Sequence, residues 1–375
     1  MLLINPDSRV NKDIPNIGLA YIATYLGAKV IDLNTKNWPR KRFLAYKSDS
    51  VGISVQSRSY QDALRIARMY KRKYPQVKMR SVSGVLDVQC CYPYLKLADD
   101  MHIQGELSDS LSIPDYELFD SFELFRTNWQ KNIWRYAIMT SKGCPYQCLY
   151  CAARDSKWQA RSAANCYQEL KSARDRWGIK SFSIIDDCFN IDRERVMELC
   201  DLIKPLKLSW SCANGLRADR FDESLAKEMK DAGCDYVGFG IESTDPQVLN
   251  MIKKGEDMDT IALAVDTAKK YFDNVNGYFI IGLPGSSYAR DLSSLRWAEG
   301  KHINAFFSYY LPFKALMEGS LFYGPGAKAR SQEYPSRLQE KIYILTKSMR
   351  PKESNAWRLR SILDSIKKFY QGSIA

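Results

Sequence analysis

Cys144, Cys148 and Cys151 stand at spacings of four and three in the stretch Ser141-Lys-Gly-Cys144-Pro-Tyr-Gln-Cys148-Leu-Tyr-Cys151-Ala-Ala-Arg154. Thiolates are the usual ligands of iron–sulfur clusters, and cysteines two or three residues apart favour such a site. No fourth cysteine follows at matching spacing. A 4Fe–4S cluster held by these three would leave one iron without a protein ligand, open to a substrate or cofactor. A structural zinc site needs four ligands, usually in two separated pairs. A disulfide framework belongs to short secreted chains. The spacing favours a cluster over both.

The Cys-x3-Cys-x2-Cys pattern, the aromatic Tyr150 before the last cysteine and the preceding Lys-Gly-Cys-Pro resemble the radical S-adenosylmethionine (SAM) superfamily. The resemblance implies that the open iron is chelated by the amino and carboxylate groups of SAM. One electron from the cluster would then cleave SAM to a 5′-deoxyadenosyl radical. It also sets Tyr150 beside the adenine, with packing of the loop as its other role. Glu242, in Gly240-Ile-Glu-Ser243, matches a position that holds the SAM amino or ribose groups, which suits an acceptor-only carboxylate; a structural acid is the alternative. Asn214 and Arg217 match contacts of the SAM carboxylate, for which a guanidinium is well shaped. Gly282-Leu-Pro-Gly285 resembles the family's glycine motif near the adenine, where glycine admits close backbone approach, or is a plain turn. Lys253-Lys254-Gly255 resembles a basic turn of the family or is a solvated helix end. Asp186 and Asp187 could orient substrate or SAM, or cap the next helix. Cys188 and Cys212 read as core residues near strand ends.

These residues need a scaffold, and the apolar pattern supplies one. Arg135–Thr140 reads as the strand that delivers the cysteine loop. Helices and strands then alternate, with strands at 181–185, 207–213, 236–242, 276–281 and 305–310. Six strands match the partial (β/α)6 barrel of radical SAM enzymes, whose site lies at the carboxyl ends of the strands. The resemblance covers residues 135–324.

Upstream, strands at 1–5, 29–33, 50–55, 77–84 and 101–106 alternate with helices at 17–26 and 60–74, which argues for an open parallel sheet. The first helix shows apolar positions at Ile17, Ala20, Tyr21 and Tyr25, the second at Leu64, Ala67 and Tyr70. Ligands of such sheets bind in the crevice beyond the strands' carboxyl ends. Residues 1–107 resemble the Rossmann-like cobalamin domain that precedes the cluster domain in one radical SAM class. The matching stretches are Ile17–Leu26, Val51-Gly-Ile-Ser54, Ser83-Gly84 and Gly105-Glu106, so Ser54, Ser83, Gly84, Gly105 and Glu106 are implied as cobalamin contacts. Two departures stand out: a double glycine of the family is Ser83-Gly84 here, and its Gly-Glu-Gly-Glu is Gly105-Glu106-Leu107-Ser108. A degenerate sheet kept for packing or docking is the alternative. The chain has two histidines, His102 and His302. The loop after the first strand contains neither, so it cannot supply a histidine to cobalt.

The expected fold is α/β: a Rossmann-like parallel sheet (1–107), a linker (108–134), a partial radical SAM barrel (135–324) and a basic helical segment (325–375). In that last segment Leu338, Ile342 and Leu345 recur at helical spacing, and it is expected to cover the open side of the barrel. Residues 324–375 hold eleven Lys or Arg against four Asp or Glu, and the whole chain is +12. A solvated helical face is the expected reading, with nucleic acid as the alternative, and no nucleic-acid motif accompanies the charge. Apolar content of 45% supports real cores, ten mostly scattered cysteines indicate a reducing compartment, and no apolar run approaches a membrane span. A cytoplasmic radical SAM enzyme follows, with a 4Fe–4S cluster, SAM and cobalamin as cofactors, reduced by a flavodoxin or ferredoxin. The expected reaction is cobalamin-dependent C-methylation. The alternatives are a cobalamin-independent cyclisation, epimerisation or oxidation, and a non-catalytic iron–sulfur or cobalamin carrier. No motif names the substrate.

Overall fold

The computed structural model describes residues 1–7, 13–35, 39, 41–55, 59–82, 107–151, 153–154, 156–212, 214–310 and 333–348. The strand expected at 101–106, with Ser83, Gly84, Gly105 and Glu106, lies outside them, as does the segment from 349 onward. Contact density divides the chain into two units, one of residues 1–142, 159–183 and 205–209, the other of 143–158, 184–204 and 210 onward.

In the first unit, β1 (Leu2–Asn5), β2 (Lys29–Asp32), β3 (Ser50–Ser54) and β4 (Lys78–Val82) form an all-parallel sheet in the order β2-β1-β3-β4. Short runs buried on both faces in β1, β2 and β3 favour this arrangement. The chain reverses direction between β1 and β3, the point where such sheets open a ligand crevice. Helix α1 (Ile17–Leu26) starts on Asn16, whose side chain accepts from Leu19 N–H, and stops at Gly27 in the left-handed region. It is buried all round from Ile17 to Ala23, so Tyr25, expected inside, emerges 74% exposed at the helix end. Helix α2 (Tyr60–Lys73) buries Ala63, Ile66 and Tyr70, with Ala67 at the flank. Tyr70 faces inward as expected, whereas Ala63 and Ile66, along i, i+3 and i+7, take the inward places expected for Leu64 and Ala67.

The stretch read as a plain linker contains α3 (Phe122–Gln130). Its Trp129, with Tyr116, Tyr136 and Trp177, forms an aromatic cluster with ring centroids 5.2–6.2 Å apart. Beside it, Arg161 pairs with Glu169 at 2.6 Å, both fully buried, and the hydroxyls of Tyr21 and Tyr136 also donate to Glu169.

The delivering strand is β5 (Tyr136–Ile138). After it comes a two-stranded sheet that the apolar pattern does not announce, β6 (Ser141–Cys144) with β7 (Ser156–Ala160). The alternation continues through α4 (Ala163–Trp177), β8 (Ser181–Ile184), α5 (Arg193–Ile203), β9 (Ser209–Cys212), α6 (Glu223–Asp231), β10 (Cys234–Glu242), α7 (Pro246–Met251), α8 (Met258–Tyr271), β11 (Asn274–Ile281), α9 (Tyr288–Gly300) and β12 (Asn304–Tyr309). Six strands lie in the order β12-β11-β10-β9-β8-β5. Each helix from α4 to α9 is capped by a Ser or Asp side chain that accepts a backbone N–H of the first turn: Ser162, Asp192, Asp222, Asp245, Asp257 and Ser287. These caps fix where each helix begins and therefore where each strand-to-helix loop ends. Val237, Phe239 and Ile241 of β10 and Phe279 and Ile281 of β11 are buried, as the period of two requires of a sheet face packed on helices. Past residue 332, α10 (Ser336–Ser348) packs Ile342 against Ile281, Tyr309 and Tyr334, with Leu338 at the edge and Leu345 37% exposed.

Candidate functional site

The cysteine loop is the link between β6 and β7, and the hairpin closes it tightly. Gly143 sits at φ 83°, and a Cβ there would lie 2.3 Å from the Lys157 carbonyl oxygen. Only glycine fits such a position. Its N–H donates to Asp187 Oδ2 at 2.8 Å, and Cys144 N–H donates to Ser156 Oγ at 3.2 Å. Asp187 thus anchors the entry to the loop. The next helix is capped by Asp192 instead, which removes the capping role considered for Asp186 and Asp187. Asp186 is buried, with Arg195 at 4.0 Å.

Within the loop, Cys151 Sγ accepts the Ala153 N–H at 3.4 Å, and Leu149 N–H donates to Ile252 O at 2.9 Å. Cys144 and Cys188 are both thiols, not joined in a disulfide; hydrogen bonding from the neighbouring Cys188 thiol, with the Tyr146 N–H and the nearby Arg217, draws the Cys144 thiol down to about 6, while Cys188 itself is pushed up. Burial raises Cys148 and Cys151, against a downward pull from Lys254 on Cys148. Cys188 is therefore buried, as expected, but next to the loop. Among the described residues no three His, Cys, Asp or Glu side chains close on a single metal ion. Three thiols on one short loop, one of them accepting a backbone N–H, suit a thiolate-ligated cluster.

Glu242 ends β10 with a register shift after Gly240 and a φ of 67°. A non-glycine residue held there points to a functional constraint. The Tyr150 hydroxyl donates to its Oε1 at 3.0 Å, and Lys254 Nζ stands 3.9 Å away. Burial pushes the Glu242 carboxyl up, against both of these neighbours. Lys254 is not a solvated helix end. It is 5% exposed and pairs more closely with Glu256, at 3.1 Å. Burial opposes its charge, yet the two carboxylates hold its ammonium above the ordinary range.

Arg217 is 5% exposed and already engaged. It makes a bidentate pair with Asp219 at 2.8 and 3.0 Å, donates to the carbonyls of Lys254 and Gly255, and lies 3.4 Å over the ring of Tyr146, inside the cysteine loop. Asn214 donates to the carbonyls of Ile185 and Asp186 at 2.8 and 3.1 Å, tying the loops after β8 and β9. In this structure both expected SAM contacts hold loop backbone.

Gly282 and Gly285 take positive φ, 74° and 79°, and a Cβ on Gly285 would press on Met251 Sδ at 2.7 Å. The sequence did not single out Asp291, which orders this turn. It accepts from Gly282 N–H at 2.9 Å, from Ser286 Oγ at 2.5 Å and from the Tyr334 hydroxyl. Glu256, also unremarked in the sequence, accepts from Ala218 and Asp219 N–H at 2.6 and 3.2 Å. The string Lys253-Lys254-Gly255-Glu256-Asp257 was its one signal.

In the parallel sheet, Ser54 is 4% exposed at the carboxyl end of β3. Its hydroxyl accepts from Asn16 Nδ2 at 3.3 Å, Asn16 also reaches Asn5, and Asn5 Nδ2 donates to Asp32 Oδ1 at 2.9 Å. Asp32 Oδ2 is buried without a partner. Burial raises the Asp32 carboxyl to about 7, against bonds from Asn34 and Asn5.

Residues 138–298 match the family model of the Radical SAM superfamily. The chain is 32% identical over 196 residues to the uncharacterized methyltransferase PH0819 of Pyrococcus horikoshii, covering 51% of this chain and 41% of that protein. It is 32% identical over 151 residues to the cytidylyl-2-hydroxyethylphosphonate methyltransferase of Streptomyces wedmorensis, covering 39% and 28%. The chain thus spans well under half the length of these two curated relatives. Among solved structures, the radical SAM methyltransferase TsrM from Kitasatospora setae, with cobalamin and a [4Fe-4S] cluster bound, shares the fold at a TM-score of 0.65 and 16% identity, over 90% of this chain and 83% of that one. No helix among the described residues is long and apolar enough to cross a membrane. A radical SAM domain takes a 4Fe–4S cluster and SAM, and the hairpin-borne cysteine triad, with Tyr150 and Glu242 bonded beside it, supplies groups of the right chemistry for both. Residues 138–298 of this chain are accordingly a domain of the Radical SAM superfamily.

Proposed function

We propose that the chain is a radical SAM enzyme that uses cobalamin as a C-methyltransferase. The carrying observation is that one chain joins the cysteine hairpin to a parallel sheet whose β1/β3 crevice is lined by Asn5, Asn16 and Ser54. The methyltransferase names of its relatives, and the extent of the fold it shares with TsrM, support the same reading.

When bound, the cluster supplies the electron for SAM cleavage, and cobalamin supplies a carrier for the methyl group. Cys144, Cys148 and Cys151 hold the cluster. Glu242 receives the SAM ammonium or ribose hydroxyls, as an acceptor whose ion-pair partner is closer to another acid. Tyr150 borders the adenine, and the Gly282–Gly285 turn lets backbone approach it. Arg217 and Asn214 position the loops around SAM. Ser54 contacts cobalamin, a role that the family resemblance implies for Ser83, Gly84, Gly105 and Glu106 as well. Cobalt takes no histidine from the loop after β1. A flavodoxin or ferredoxin reduces the enzyme.

The test is to reconstitute the protein anaerobically, titrate it with hydroxocobalamin, remove free cofactor, record the absorption spectrum and assay 5′-deoxyadenosine. Stoichiometric retention with a spectrum lacking nitrogen ligation is expected. SAM cleavage without retention would reject cobalamin and leave a cobalamin-independent radical enzyme. A protein that takes up no cluster would reject the radical reading itself.

A further inference from the structure

Five charged side chains form a network beside the cysteine loop: Glu242, Lys254, Glu256, Arg217 and Asp219. Lys254 is central. Its ammonium lies 3.1 Å from Glu256 and 3.9 Å from Glu242, while its own carbonyl oxygen lies 4.0 Å from Cys148 Sγ and accepts from Arg217. The backbone turns sharply here, with Lys253 at φ 54° and Gly255 at φ 68°. Gly240 leaves the room: a Cβ on it would stand 3.2 Å from Lys254 Nζ and 2.8 Å from Glu242 Oε1. A lysine with 5% exposure is rare unless it is paired, and in low dielectric its field on neighbouring charges is felt far more strongly than at the surface.

We propose that Lys254 is a positioning and tuning residue of the cluster: its buried ammonium raises the reduction potential of the cluster held by Cys148, and its pairing with Glu242 orients the carboxylate that receives SAM. The inference rests on the cluster reading of the cysteine triad. Reduction adds negative charge beside Cys148, and a nearby fixed cation favours that state; charge near a cluster is one of the levers that set its potential. Glu256 opposes part of the effect and keeps the ammonium in place. The same lysine acts on the two halves of the site, through Cys148 on one side and through Glu242 on the other.

The experiment is a dithionite titration of reconstituted protein, followed by the EPR signal of the reduced cluster, with iron per chain measured in parallel. In Lys254→Gln the midpoint is expected to fall by at least tenfold in the reduction equilibrium, 59 mV for a one-electron couple, while Lys254→Arg stays close to wild type. Glu256→Gln is expected to move the midpoint up. Lys254→Gln with full iron and an unchanged midpoint would overturn the inference. If Lys254→Gln fails to fold, an unchanged or lower midpoint in Glu256→Gln would overturn it instead. Wild-type protein without bound iron would refute the cluster reading, a result separate from either of these.

Discussion

The Tyr150 hydroxyl donates to Glu242 Oε1 at 3.0 Å, so the last turn of the cysteine loop and the end of β10 share one hydrogen bond. Tyr150→Phe removes it and leaves a buried carboxylate paired with Lys254, 3.9 Å away. A bond to a charged group contributes about 1.5–3 kcal/mol. SAM binding should therefore weaken by about tenfold or more, with iron content unchanged. Anaerobic calorimetry of SAM binding checks this, and loss of iron in the variant would mean that the bond serves the loop and not the ligand.

Gly143→Ala should abolish stable cluster uptake. The added methyl meets the Lys157 carbonyl at 2.3 Å, and an L-residue at φ 83° is strained. Strain of this kind costs on the order of 1–3 kcal/mol, enough to open a short hairpin. Asp187→Ala should show a weaker form of the defect by removing the acceptor of the Gly143 N–H. Iron per chain after reconstitution measures both.

Asp32 offers a pH test. Its folded carboxyl is raised to about 7, first by burial, with Asp120 adding to the rise and Arg42 opposing it. The folded state then binds the proton more tightly than the unfolded state, so this group's contribution to stability falls as pH rises from about 4 to about 7. The loss is a few kcal/mol, on the order of 4 at most. Asp32→Asn should flatten stability over that window and be the more stable protein at pH 8. Urea unfolding at pH 5 and pH 8 decides; an unchanged pH dependence would show that Asp32 ionises freely.

Breaking the buried Arg161–Glu169 pair by Arg161→Met should destabilise the protein by about 3–5 kcal/mol, because Glu169 is left as an uncompensated buried charge. The double variant Arg161→Met/Glu169→Leu should recover much of that loss. Thermal unfolding of the three proteins tests the order.

Local patterns in the chain are enough to specify the elements and the cysteine motif. Alternating apolar runs are short-range signals, so strands such as β8, β10 and β12 lie within a few residues of where the sequence places them. The motif Cys144, Cys148, Cys151 is likewise contiguous, and so is the absence of histidine from the loop after β1. Where apolar periodicity is weak, the sequence is silent: the β6–β7 hairpin is built from polar residues and held by backbone pairing, and α3 lies in a segment that reads as a connector.

Partnership was decided by tertiary structure. Arg217 looks in sequence like a free guanidinium for a carboxylate ligand, but Asp219 and two carbonyls occupy it. Lys254 reads as a surface charge, but folding buries it between Glu242 and Glu256. Asp291 and Glu256 carry no motif at all, yet they order the turn at Gly282 and the backbone at Ala218. A residue's type fixes what bonds it can make. Which groups it meets depends on how the backbone turns, as for Arg217 with Asp219, and on contacts between distant positions, as for Lys254 with Glu242; burial then sets the strength and sign of their effect on one another.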